Sequence, residues 1–143
     1  MPIITRETRL GEVFEGNPKR IAVERLWAFS GGPFTQKGWP VKNLHTDLET
    51  ARAVGLPCIA ASGTQCQGYV VEILLDLFGE EWLSGGSMTA KFISIVGVDS
   101  VIRAKGLVRA RSEESERVRV ELDVWCENQE GAKVLVGTAS GLV

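Results

Sequence analysis

His45 is the only histidine in the chain, and imidazole is the only side chain whose ordinary pKa lies close to neutral pH. It stands in Asn43-Leu44-His45-Thr46-Asp47, downstream of a loop containing Gly38, Trp39 and Pro40. A short distance further on, Ala61-Ser62-Gly63-Thr64 opens a long apolar segment with the character of a helix. The first N–H groups of a helix have no partner within it, so they can hold a developing negative charge. A base near such a helix start is suited to moving a proton while charge builds on a neighbouring oxygen.

Several residues around His45 have two readings each. His45 itself can be an acid or base, or a loop residue that bonds to backbone. Asp47, two positions on, shares a face with His45 in extended backbone and can orient the imidazole or act as a second proton carrier. Aspartate is equally a good N-cap for a helix starting at Leu48. Lys42 and Asn43 flank the histidine as polar groups that can touch a substrate, although a loop lysine is usually solvated. Trp39 and Phe34 can line a pocket or pack the loop onto the core. Ser62 supplies a pocket or capping hydroxyl; with no Gly-x-Ser-x-Gly around it, it has no nucleophile elbow.

The elements that must position these groups follow from periodicity. Val23, Leu26, Trp27 and Phe29 predict a short helix ended by Ser30-Gly31-Gly32-Pro33. Residues 30–47 form a loop long enough to suggest function. Leu48 to Val54 predicts two helical turns before Gly55 and Pro57. The next helix, capped by Ser62 or Thr64, runs to Phe78 and Gly79 and has hardly any polar face, which predicts burial on most sides. Strands follow at Met88 to Val96, Val101 to Arg111, Val118 to Cys126 and Lys133 to Leu142. A short one is expected near Glu12-Val13-Phe14. In the second and third long strands apolar residues alternate with charged ones, the mark of a sheet with one wet face. Polar turns at 113–116 and 128–131 predict an antiparallel meander. A sheet curled around the apolar helix, an α+β hotdog arrangement, buries both. Its open edge predicts a homodimer.

Composition narrows the function classes. At 143 residues with 44% hydrophobic content, the chain suits a single domain spanning 1–143. A net charge of −2 speaks against a nucleic-acid or anionic-membrane partner. Cys58, Cys66 and Cys126 are scattered, which fits neither a disulfide framework nor, with one histidine, a metal site. The first residues carry Arg6 and Glu7 where a secretory signal needs an apolar stretch, and the apolar run from Val70 to Phe78 contains Glu72 and Asp76. Both features predict a cytoplasmic protein. The stripe Arg103, Lys105, Arg109, Arg111 can meet phosphates or form a solvated face balanced by Glu113 to Glu116.

Phe29-Ser30-Gly31, Asn43-Leu44-His45-Thr46-Asp47, Ala51-Arg52-Ala53-Val54-Gly55-Leu56-Pro57 and Ala61-Ser62-Gly63 together resemble the MaoC-like (R)-specific enoyl-CoA hydratase/dehydratase family. The turn Glu127-Asn128-Gln129-Glu130-Gly131, followed by Val134 to Gly137, is similar to that family's last hairpin. The resemblance implies a hotdog lyase acting on an acyl thioester or related activated carbonyl, with no metal or redox cofactor. It puts His45 in the acid/base role and the Gly63 N–H in the oxyanion hole, with Asn43 as a second group for the carbonyl oxygen. It also implies a dimer with the pocket at the interface. Hydratases of the family carry Asp-x-Asn-Pro-x-His, whereas here Pro40 stands at the aspartate, Lys42 at the asparagine and Asn43 at the proline. No Asp or Glu lies between Glu24 and His45. Two other functions fit the same fold. A thioesterase would need Glu72 or Asp76 facing the pocket, and a non-catalytic binding protein would need only the pocket.

Overall fold

The computed structural model describes residues 2–143, with Met1 outside them. Its elements run β1 (Val13–Glu15), β2 (Lys19–Arg20), α1 (Val23–Ser30), α2 (Leu48–Ala53), α3 (Gly63–Phe78), α4 (Trp82–Gly85), β3 (Ser87–Phe92), β4 (Val101–Glu114), β5 (Arg117–Glu127) and β6 (Lys133–Leu142). The strands form an antiparallel sheet in the order β1-β4-β5-β6-β3, with β2 also pairing with β4. β4, β5 and β6 are the expected meander. The Asn128 side chain closes the second turn by accepting from the N–H groups of Glu130 and Ala132. Gly131 takes the left-handed conformation (φ 77°) that the turn needs.

α3 lies across β4, β5 and β6. From the sheet, Ile102, Val108, Val120, Leu122, Val124 and Leu135 are wholly buried; Val70, Ile73, Leu74 and Leu77 meet them from the helix. The alternation read in β5 holds along its length, with Val118, Val120, Leu122, Val124 and Cys126 turned inward. This is the α+β hotdog fold, a sheet wrapped around a central helix. No helix of the described residues is long and apolar enough to cross a membrane.

Two expectations are corrected. α3 is not buried on nearly every side, because Thr64, Gly68, Glu72 and Asp76, spaced four apart, form an exposed stripe. Glu72 reaches Lys19 at 2.9 Å from that stripe. The strand expected from Met88 to Val96 ends at Phe92. Beyond it the N–H groups of Ile93 and Ser94 both donate to the Val134 carbonyl (3.0 and 3.3 Å), so register is lost and the chain leaves the sheet. The apolar run through Ile93, Ile95 and Val96 reads as strand but serves as a segment passing the start of α3.

The outer sheet face is an ion-pair ladder. Lys105 contacts Glu127 at 2.5 Å and Glu15 at 2.9 Å, Arg103 contacts Glu15 at 2.8 Å, and Arg109 contacts Glu121 at 3.4 Å. Arg111 donates to the carbonyls of Arg6 and Thr8. The basic stripe is therefore a paired, solvated face.

The hydrogen bond from Lys105 is the main cause holding the carboxyls of Glu15 and Glu127 below the usual carboxylate range. A carboxyl with a depressed folded-state pKa binds fewer protons folded than unfolded in the acid range. Its stabilisation is complete above the unfolded value of about 4.3. It is lost as pH falls through the lower folded value. The melting temperature is expected to fall from roughly pH 5 towards pH 3. The combined variant Glu15→Gln, Glu127→Gln should show a shallower fall over the same range, measured by thermal melts at matched ionic strength.

Candidate active site

The histidine loop is pinned to α1 by aromatic contacts and backbone bonds. Trp39 meets Trp27 edge-on with ring centroids 6.4 Å apart, and Phe34 at 5.2 Å. The indole N–H of Trp39 donates to the Gly32 carbonyl at 3.1 Å, and that of Trp27 to the Thr46 carbonyl at 3.1 Å. The Trp39–Pro40 peptide is cis. Thr46 is buried, and its hydroxyl accepts from the Asn43 N–H at 3.0 Å while donating to the Val41 carbonyl at 2.6 Å. Asn43 ties the turn at both ends. Its amide donates to the Ser30 carbonyl at 2.8 Å, and its Oδ1 accepts from the His45 N–H at 2.9 Å.

These bonds fix the His45 backbone, and the ring is fixed separately. His45 Nδ1 lies 2.7 Å from the Ala60 carbonyl oxygen. A carbonyl can only accept, so Nδ1 carries the proton of the bond. In the neutral ring this leaves Nε2 with a free lone pair. The Ala60 N–H in turn donates to the Leu44 carbonyl at 3.4 Å. On its other side, the 59–61 segment bonds to the chain after β3. The Ala61 N–H donates to Val96 at 2.8 Å and the Val98 N–H to Ile59 at 3.0 Å. Three residues after Ala60, α3 begins.

At that start Ser62 occupies the N-cap position without making a side-chain cap bond, and its hydroxyl pairs instead with that of Thr64 at 2.7 Å. The Gly63 N–H has no hydrogen-bond partner among the described residues. Gly63 also has a packing reason to be glycine. A Cβ placed there would lie 3.0 Å from Cδ1, Cδ2 and Cε1 of Phe92 alike. A point equidistant from three corners of a hexagon lies on its axis, so the Phe92 ring sits face-on over this position.

Beside Gly63 opens a cleft of about 480 Å³, within the range of small-molecule sites. Leu44, Ala60, Gly63, Cys66, Phe92 and Val134 are among its walls, and no acidic or basic side chain lines it. Burial pushes the Cys66 thiol up to about 11, which keeps it protonated and inert at neutral pH. His45 is not itself a wall residue, but Leu44 and Ala60, the residues it is bonded to and follows, are.

The residues singled out from the sequence separate accordingly. His45 is bonded to Ala60, three residues before Gly63, and of His45, Ser62 and Gly63 only Gly63 lines the cleft. Asp47 faces the other way in its bonding: its carboxylate accepts from the Thr50 N–H at 3.0 Å and the Thr50 hydroxyl at 2.6 Å. It is the N-cap of α2, and the Thr50 side-chain bond is the main cause holding its carboxyl below the usual range. Asn43 is engaged within the loop, Lys42 is exposed, and neither they nor Trp39 line the cleft. Glu72 and Asp76 lie on the exposed stripe of α3, away from the cleft walls. Two groups escaped the sequence reading. The Ala60 carbonyl is backbone and leaves no trace in residue type. Phe92 sits in an apolar run whose only signal is that it precedes a break in the sheet.

No family model matches the chain, and no curated protein matches it. Solved structures do. A MaoC-like dehydratase from Rhodospirillum rubrum superimposes with a TM-score of 0.76 at 20% identity, covering 96% of this chain and 93% of that one. The unliganded R-hydratase PhaJ1 from Pseudomonas aeruginosa gives 0.73 at 18% identity, covering 94% and 81%. The HadBC (3R-hydroxyacyl-ACP dehydratase) complex from Mycobacterium tuberculosis gives 0.71 at 14% identity, covering 97% and 100%. The chain shares the hotdog fold of these proteins.

The Phe92–Gly63 contact makes a signed prediction. Gly63→Ala should cost about 1 kcal/mol, the low end for overpacking, because Phe92 is half exposed and can give way. In a Phe92→Ala background the same change should be neutral or stabilising, since alanine is the better helix former. Urea unfolding of the four proteins measures the cycle. Equal costs in both backgrounds would mean that the ring does not press on Gly63.

Proposed function

We propose that the chain is a single-domain, homodimeric lyase of the hydratase/dehydratase type, acting on an acyl thioester or a related activated carbonyl compound. The observation that carries this reading is the bond from His45 Nδ1 to the Ala60 carbonyl, which holds the ring on the segment leading into α3 and, in the neutral ring, leaves Nε2 with a free lone pair. In the dehydration direction Nε2 takes the proton from the carbon next to the carbonyl and delivers it to the hydroxyl group on the following carbon, which departs as water as the double bond forms. Hydration is the reverse. Negative charge gathers on the carbonyl oxygen in either direction, and the Gly63 N–H is the donor assigned to it. A donor of this kind supplies about 3 kcal/mol in the transition state. Ser62 precedes Gly63 at the N-cap of α3, while Asp47, Asn43, Lys42 and Trp39 hold or flank the loop that presents the histidine. The fold shared with dehydratases and an R-hydratase supports the reaction class.

A second reading is favoured by one specific feature. The cleft walls carry no carboxylate, and the place of the family aspartate is taken by Pro40. A protein that binds the same ligands without turning them over fits that wall. A thioesterase has less support, because Glu72 is paired with Lys19 on the far side of α3.

His45→Ala decides between the lyase and the binder. Turnover of a short enoyl-CoA, followed by loss of its enoyl absorbance, should fall about 10²- to 10⁴-fold, as for removal of a general acid or base. Stability should fall by only about 1 kcal/mol for the lost bond to Ala60. Thermal stabilisation of the wild type by acyl-CoA without any turnover would favour the binder. The dimer has its own test. β3 is an open edge, and beside it Phe92, Ile93 and Ile95 are 48%, 48% and 58% exposed. A second copy across that edge would pair the strand and cover the apolar side chains. Light scattering should give twice the chain mass, with activity falling on dilution as dimer is lost. A fully active monomer would contradict it.

A further inference from the structure

Phe92 is the last residue of β3, opposite Leu135 in the ladder, and the chain leaves the sheet immediately after it. Its ring is 48% exposed in the single chain and makes no polar contact. Even so, it rests face-on over the place a Gly63 side chain would take. In a helix both the Cα–Cβ bond and the N–H point towards the N-terminus. A ring over the Cβ position therefore borders the line by which an oxygen reaches the Gly63 N–H.

The rest of the cleft restricts what that oxygen can be attached to. Its polar side chains are the Cys66 thiol, which is protonated, and the Ser94 hydroxyl, and no cation is present to receive an acidic group. The walls suit an uncharged, apolar acyl body. A carbonyl bound at the Gly63 N–H would lie next to the Phe92 ring, and a methyl branch on the neighbouring carbon presents more bulk to that ring than a CH₂ or CH= group does.

We propose that Phe92 is the acyl-selecting residue of the site, its ring gating the approach to the Gly63 N–H so that unbranched, uncharged acyl groups are admitted and those branched next to the carbonyl are turned away. This rests on the reading that the Gly63 N–H receives a thioester carbonyl. One methyl group against an apolar wall is typically worth a factor of about 10 to 200 in discrimination.

Butanoyl-CoA and 2-methylbutanoyl-CoA are suitable probes, because both are saturated and cannot be hydrated, so calorimetry reads binding alone. The wild type should bind butanoyl-CoA at least about tenfold more tightly. Phe92→Ala should bring the two affinities within about twofold, chiefly by strengthening the branched ligand. Phe92→Leu, which keeps most of the apolar bulk, should give an intermediate ratio and covers the case in which the alanine variant does not fold. Leu83→Ala removes an exposed apolar side chain outside the cleft and should leave the wild-type ratio in place. Equal affinities in the wild type, an unchanged ratio in both Phe92 variants, or a ratio that collapses equally in Leu83→Ala would each overturn the gate. Binding of neither probe by the wild type would overturn the thioester reading itself, a different result from loss of selectivity alone.

Discussion

The site depends on the pairing of residues 59–61 between two neighbours. On one side the Ala60 carbonyl holds the His45 ring and the Ala60 N–H meets Leu44; on the other, Ala61 and Ile59 bond to Val96 and Val98. This short three-stranded contact lies outside the main sheet, yet it joins the histidine loop, the start of α3 and the segment leaving β3. Without it the loop would be tied only to α1, through Trp27, Trp39 and Asn43, with nothing to register the imidazole against the helix. The main sheet and α3 supply the rigid body, and this contact fixes the histidine loop on it.

Most of the fold is legible in the sequence because the relevant signals are local. The period of two in β4 and β5, the polar turns, and the glycine and proline after α1 and α2 each act within a few residues. The helix start at Gly63 and the end at Gly79 are legible for the same reason. What fails is where a tertiary contact overrides a local pattern. Ile93 and Ile95 continue an apolar rhythm, but two N–H groups competing for the Val134 carbonyl end the strand. The apolar richness of α3 conceals the stripe of Thr64, Gly68, Glu72 and Asp76, which becomes visible only when residues are taken four apart.

The candidate site is legible to a smaller degree. His45 and Gly63 stand out by residue type and position. For Asp47 both readings are open in the sequence, and its two bonds to Thr50 make it a helix cap. Asn43 is polar and adjacent to the histidine, which suggests substrate contact, but its amide is spent on holding the turn. A polar residue beside a reactive one is as often its support as its partner, and sequence spacing does not separate the two. Backbone groups such as the Ala60 carbonyl are invisible at that level.

The tautomer of His45 is the most direct point of test. Nitrogen-15 NMR of the imidazole distinguishes a protonated ring nitrogen from one with a lone pair. In the neutral ring, Nδ1 should carry the proton and show coupling across the bond to the Ala60 carbonyl, while Nε2 should give the resonance of an unprotonated nitrogen. A neutral ring protonated at Nε2 instead would contradict the arrangement on which the proposed proton transfer rests.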